Sequence, residues 1–180
     1  MNLSTKRLEL RELSWKDLSD IHRMNSYPEV AEFNTIGIPM NLETTKALIQ
    51  PIIEDQQKAM RKKYGWVALL NDTGTFIGEV GINLKSIKYN SGEIYYSLLP
   101  CYWGQGYATE IVKGILRFGF DTLGLHRIEA GVATGNFSSI RVLEKVGMSK
   151  EGLHRQILPL REGWKDNFHY AILESDWKQS

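Results

Sequence analysis

Two glycines, one residue apart and flanked by aromatic side chains, stand out in the run Leu98-Leu99-Pro100-Cys101-Tyr102-Trp103-Gly104-Gln105-Gly106-Tyr107-Ala108-Thr109-Glu110. Glycine reaches backbone angles closed to other residues and lets a ligand approach the main chain. The run leads into the strongest helical pattern of the chain. Ala108, Ile111, Val112, Ile115, Leu116, Gly119 and Leu123 recur at three- and four-residue steps, predicting one apolar face over Tyr107 to Leu123. The first turn of a helix leaves N–H groups unpaired and carries partial positive charge. A glycine turn feeding such a terminus suits an anion, and a phosphate-bearing ligand is the natural occupant. A tight strand-to-helix turn that holds nothing is the competing reading.

Absent residues narrow the choice of phosphate. A dinucleotide fingerprint needs a third glycine where this chain has Thr109, and a parallel strand-helix-strand setting. A P-loop needs Gly-Lys-Ser/Thr, which does not occur here. Farther on, Asn136-Phe137-Ser138-Ser139 opens another short helical pattern that Gly147 closes. By local pattern Asn136 is equally a turn or helix-capping residue.

The elements that must position these residues follow from periodicity. Lys6 to Glu12 alternates as a half-buried strand. Ser14 to Asp17 resembles a capping box before a helix. Leu42 to Lys63 is helical in pattern, with a kink or break expected at Pro51. Tyr64–Leu70, Phe76–Asn83 and Glu93–Leu99 read as strands with short connections, an antiparallel meander. Strands are also predicted over Arg127–Val132, Leu153–Leu158 and Asn167–Leu173, and a helix over Ser138–Val146. No repeat or linker interrupts the 180 residues, so one domain over 1–180 is expected. The order implies an α+β, or mixed α/β, fold with helices on the faces of one sheet.

Composition closes off other classes. A formal net charge of +1 gives no basic surface for nucleic acid. One cysteine, Cys101, excludes an internal disulfide and any multi-cysteine metal site; packing is its expected role. The four histidines lack metal-ligand spacing, so no metal is expected. With neither a signal-peptide pattern nor a membrane-length apolar run, the expected location is the cytoplasm, with no membrane partner. Lys58, Arg61, Lys62 and Lys63 form a basic cluster, read as a solvated helix end or as a contact for a phosphate or an acidic partner.

Trp103-Gly104-Gln105-Gly106-Tyr107-Ala108 resembles motif A of the GNAT N-acetyltransferase superfamily, Gln/Arg-x-x-Gly-x-Gly/Ala, with Trp103 in place of the usual Gln or Arg. Asn136 to Met148 resembles the family's later Asn-x-x-Ser helix that ends in Glu-Lys-x-Gly-Phe. With Arg7-Leu8, Glu151-Gly152 and Asp166, nearly the whole chain resembles the RimJ/RimL-like branch, which acetylates ribosomal-protein N-termini, other amines and some antibiotics. The fold implied is a mostly antiparallel GNAT-like sheet flanked by helices. The partners implied are acetyl-CoA and an amine acceptor, a protein N-terminal α-amine or a small molecule, and a homodimer is among the assemblies common in that branch.

The resemblance assigns roles residue by residue. The pyrophosphate falls to the main-chain N–H groups of Gly104, Gln105, Gly106, Tyr107 and Ala108, with the Thr109 hydroxyl. The pantetheine arm falls to the backbone of Leu98 and Leu99 and to Asn136, and an amide near Leu98 to the oxyanion. Relatives carry a tyrosine acid four residues after the motif serine, where this chain has Leu143, so Ser139 is the implied proton donor or relay. Among carboxylates, Glu93 is the first choice of base over Glu79 and Glu129. Phe33 and Asn34 fall in the region that walls the acceptor. With acid and base incompletely assigned, a CoA-binding regulatory module without transfer, or a nucleotide-binding protein, remains the alternative. Lacking a firm base favours a weakly basic acceptor: an α-amine of pKa about 7.8 is roughly 15% neutral at pH 7, a lysine-type amine near 10.4 below about 0.1%.

Overall fold

In the computed structural model, which describes residues 1–178, eight strands form one sheet. In chain order they are β1 (Leu3–Ser4), β2 (Leu8–Glu12), β3 (Lys63–Leu70), β4 (Phe76–Leu84), β5 (Ser91–Leu98), β6 (Arg127–Ala133), β7 (Ser149–Leu160) and β8 (Gly163–Leu173). Their order across the sheet is β1-β2-β3-β4-β5-β6-β8-β7. Every pair is antiparallel except β5–β6. The expected meander is therefore β3-β4-β5. The helices are α1 (Leu18–Asn25), α2 (Pro28–Ala31), α3 (Leu42–Asp55), α4 (Tyr107–Arg117), α5 (Phe137–Lys145) and α6 (Glu174–Trp177).

Alternation along the central strands sends side chains to two cores. Trp66, Ala68, Val80, Ile82, Ile94 and Leu98 join Ile111 and Ile115 of α4 on one face. Val67 and Phe76 join Ile21 of α1 and Ile49 of α3 on the other. Period two on the strands and period 3.6 on α4 produce both layers.

Three expectations shift. Asn41 caps α3 by accepting from the Thr44 amide, and the helix runs through Pro51 without ending there. It stops at Asp55, not Lys63, because the Asp55 carboxylate takes the amides of Lys62 and Lys63, each at 2.6 Å, and turns the chain into β3. Lys58 pairs with Asp55 at 2.8 Å and Arg61 with Glu12, so two members of the basic cluster hold this corner. The α4 pattern gives way at Phe118 to a wider turn over Phe118–Thr122, where the Leu123 amide reaches the Phe118 carbonyl. Gly119 lies so close to Ile128 that a Cβ would collide with it.

The feature that matters for function is the β5–β6 pair. Its pairing covers only Ser91–Glu93 against Arg127–Glu129. Beyond that the strands part, although β5 continues to Leu98 and β6 to Ala133. The Leu99 amide bonds the Ile77 carbonyl, continuing the β4–β5 register. By antiparallel alternation, Tyr96 and Leu98 turn their main-chain groups the other way, into the fork.

Candidate active site

The glycine loop leaves the end of β5 at the mouth of the fork. Gly104 and Gly106 have φ of 73° and 80°, the left-handed region that a side chain disfavours. The first helical bond of α4 is donated by Glu110 to the Gly106 carbonyl at 3.1 Å. Among the described residues, nothing accepts from the amides of Gly104 to Thr109, and Trp103 to Gly106 are exposed. Open amides at a helix N-terminus fit a diphosphate.

A strap outside the motif sets the loop. Glu110 accepts from the Thr5 hydroxyl, the Arg7 amide and Arg7 Nε, each at 2.7 Å. These donors hold its carboxyl below the ordinary range despite partial burial. Arg7 then lies 4.1 Å over the Tyr107 ring and donates to the Gln105 carbonyl at 3.1 Å.

Two cavities meet at the fork. One, of about 430 Å³, is walled by the loop from Trp103 through Thr109, Gln105 apart, by α5, including Arg141 and Lys145, and by Glu29 and Glu32. The other, of about 450 Å³, is walled by α1, α3 and the strands on the opposite face. Phe33, Tyr96, Ser97, Asn136 and Ser139 border both.

Each expected residue has a definite place. Gly104, Gly106, Tyr107, Ala108 and Thr109 line the first cavity. Gln105 does not, its side chain donating to the Cys101 carbonyl at 2.8 Å. Trp103 lines it too and donates its indole N–H to the Leu98 carbonyl at 2.8 Å. That leaves Leu98 its amide. Leu99 is turned toward β4, with its amide on Ile77 and its carbonyl on Tyr102, and lines neither cavity. Asn136 caps α5 by accepting from the Ser139 amide at 3.0 Å, and its Nδ2 has no partner among the described residues. Phe33 lies where the cavities join, and Asn34 borders the second cavity while its side chain holds its own loop through the Val30 carbonyl and the Gly37 amide. Leu143 is buried at 1% exposure.

Two residues acquire weight from the structure. Glu79 of β4 is 9% exposed, pairs in register with Ser97 and borders the second cavity. No hydrogen bond or ion pair from the described residues reaches its carboxylate, and burial pushes it up to about 7. Glu93 borders the same cavity but is exposed, and Glu129 is held ionised by Lys85 and Arg127, below the ordinary carboxylate range. The second residue is Tyr96. Its hydroxyl lies 2.6 Å from Ser139 Oγ, and burial pushes it up to about 12, so it stays protonated at neutral pH. Its signal in the sequence was its two-residue offset from Leu98, which places both on one face and one edge of β5. Glu79 offered no comparable signal, since strand parity alone does not reveal which face bears the site.

A forked sheet with open amides on one side and an unpaired carboxylate on the other offers a place for a phosphate-bearing ligand and a place for a proton acceptor. The particular family follows from comparison. The Acetyltransferase (GNAT) domain family matches residues 7–149. An N-acetyltransferase of Bacillus subtilis, YnaD, is 32% identical over 98% of this chain and 99% of its own length. Mycobacterium smegmatis RimJ, solved with CoA-disulfide, superposes with a TM-score of 0.86 at 23% identity, covering 100% of this chain and 90% of that one. Vibrio cholerae spermidine N-acetyltransferase, solved with CoA and spermine, gives 0.84 at 23% identity, covering 96% and 98%. This chain belongs to the GNAT acetyltransferase family and is by that membership an N-acetyltransferase. The likenesses agree with the RimJ/RimL-like resemblance and with the expected fold. No helix among the described residues is long and apolar enough to cross a membrane.

Proposed function

We propose that this chain is a single-domain cytoplasmic enzyme that moves acetyl from acetyl-CoA directly onto a primary amine, with Glu79 as base and the Tyr96–Ser139 pair as proton donor. One observation carries the reading: the two cavities join at Tyr96, Ser97, Asn136 and Ser139, with open amides on one side and an unpaired carboxylate on the other. The amides from Gly104 to Thr109 would hold the diphosphate, with Arg141 and Lys145 adding positive charge. The main chain of Tyr96 and Asn136 Nδ2 would hold the amide-rich arm, and the Leu98 amide would face the carbonyl oxygen where charge develops. Acetyl-CoA supplies an acetyl group already activated as a thioester.

Glu79 takes a proton from the amine, and Tyr96 passes one through Ser139 to the departing sulfur. At about 7, Glu79 is matched to neutral pH. Deprotonating an α-amine of pKa about 7.8 is uphill by about 1 kcal/mol, whereas an amine near 10.4 costs about 4.6 kcal/mol, at about 1.36 kcal/mol per unit. The mismatch favours an α-amine or another weakly basic amine. Spermidine acetyltransferase shares this fold, so the fold does not choose the acceptor.

The test is acetyl-CoA with a peptide bearing a free N-terminus, followed by mass and by release of the CoA thiol. Acetylation of the α-amine, faster than that of spermidine, is expected. Tight binding of acetyl-CoA with no transfer to any primary amine would leave a binding module instead.

A further inference from the structure

The two cavities differ in charge. Arg141 and Lys145 border the one beside the glycine loop, whereas no lysine or arginine lines the other among the described residues. The ionisable carboxylates there are Glu79 and Glu93. A carboxylate entering this space would lose its water and meet like charge with no cation to pair. The outer wall is aliphatic: Ile21 of α1 and Leu48, Ile49 and Ile52 of α3. Into that wall is set one amide, Asn25, at the end of α1. It is 2% exposed, and its side chain makes no hydrogen bond with any described residue; its Oδ1 is sealed without a donor, which leaves the unpartnered Nδ2 as the atom able to reach a ligand. An orphaned buried acceptor costs stability that a purely structural residue would not need to incur.

We propose that Asn25 and this wall select the acceptor: Asn25 hydrogen-bonds an uncharged amide next to the reacting amine, and the wall takes an apolar side chain on the same carbon. The chemistry recognised is an α-amino amide with a hydrophobic side chain, found at a polypeptide N-terminus or in a free amide. The proposal rests on the acetyl transfer argued above and narrows its acceptor. Free amino acids are rejected because their carboxylate would lie beside Glu79 and Glu93 with no cation to pair it.

The test compares kcat/KM for leucinamide, leucine, 3-methylbutylamine, glycinamide and a leucine-initiated peptide, in the wild type and in Asn25→Leu and Asn25→Ala. Leucinamide should exceed leucine by about 100-fold and glycinamide by about tenfold, and should exceed 3-methylbutylamine by about tenfold beyond the difference that amine basicity alone imposes. Asn25→Leu should narrow the ratio of leucinamide to 3-methylbutylamine about tenfold, leaving the part that amine basicity imposes, and leave the KM for acetyl-CoA unchanged. Loss of an unsatisfied buried group should also leave its melting temperature equal or higher, and Asn25→Ala gives the same ratio with less bulk. A purely structural role would move the melting temperature and not the ratio. A faster leucine-initiated peptide points to a polypeptide source and an equal one to a free amide; both uphold the proposal. Equal rates for leucine and leucinamide in the wild type, or an unchanged amide-to-amine ratio in both variants, overturn it while acetyl transfer stands. No acetylation of any amine on the panel by protein that binds acetyl-CoA removes both readings.

Discussion

Replacing Glu79 by Gln removes the proposed base while keeping its shape and polarity. Two consequences separate a catalytic carboxylate from a structural one. The first concerns rate: loss of a positioned base costs about 10²- to 10⁴-fold. In the wild type kcat/KM should rise with pH through a group near 7, and in the variant only the amine's own ionisation, near 7.8, should remain. The second concerns stability. Burial raises the folded-state pKa from 4.5 to about 7, so between those values the folded protein holds a proton that the unfolded chain has released. Stability therefore falls as pH rises through that window and is flat above it, with a total penalty of about 3 kcal/mol at about 1.36 kcal/mol per unit. Glu79→Gln should lack this slope. Thiol release measured from pH 5.5 to 9, with urea unfolding at pH 5, 6, 7 and 8, reads both effects. A variant within about threefold of wild-type rate that retains the limb near 7 would refute the assignment.

Three further substitutions test the proton donor and the loop. Tyr96→Phe should lower kcat by about tenfold to 100-fold with little change in the KM of either substrate. Ser139→Ala should act similarly, and the double variant should be no worse than either single one, because paired residues act as a unit. Wild-type turnover in Tyr96→Phe would assign that proton to solvent. Arg7→Gln should weaken acetyl-CoA binding about fivefold by calorimetry, the size expected of a half-exposed ion pair, with kcat nearly unchanged. Unaltered affinity would mean that the glycine loop holds its shape without the strap.

The loop, the helix behind it and the three-strand meander were legible in the sequence because each is a local pattern: paired glycines, a 3.6-residue apolar stripe, alternation between short turns. Asn136 was visible too, in the capping role that its side-chain oxygen plays. What escaped are facts of register. Glu79 and Glu93 look alike in sequence, and the neighbours of β4 decide that one is sealed against a cavity while the other meets solvent. Tyr96 finds Ser139 only because β5 and α5 face each other across the fork, 43 residues apart in the chain. Leu98 and Leu99 are adjacent, yet one main chain faces the fork and the other is spent on β4. The end of α3 was missed because Asp55 stops it through two amides seven and eight residues on, a contact that no helix-ending signal announces.

The parting of β5 from β6 also sets the order of events. In the proposed reaction the two cavities give donor and acceptor separate entrances that meet only where the strands diverge. Neither has to leave before the other arrives, and no side chain has to carry the acyl group in the meantime. The proposed reaction therefore predicts a sequential rate law, with both reactants bound at once, and traces it to three residues of parallel pairing and the place where that pairing stops.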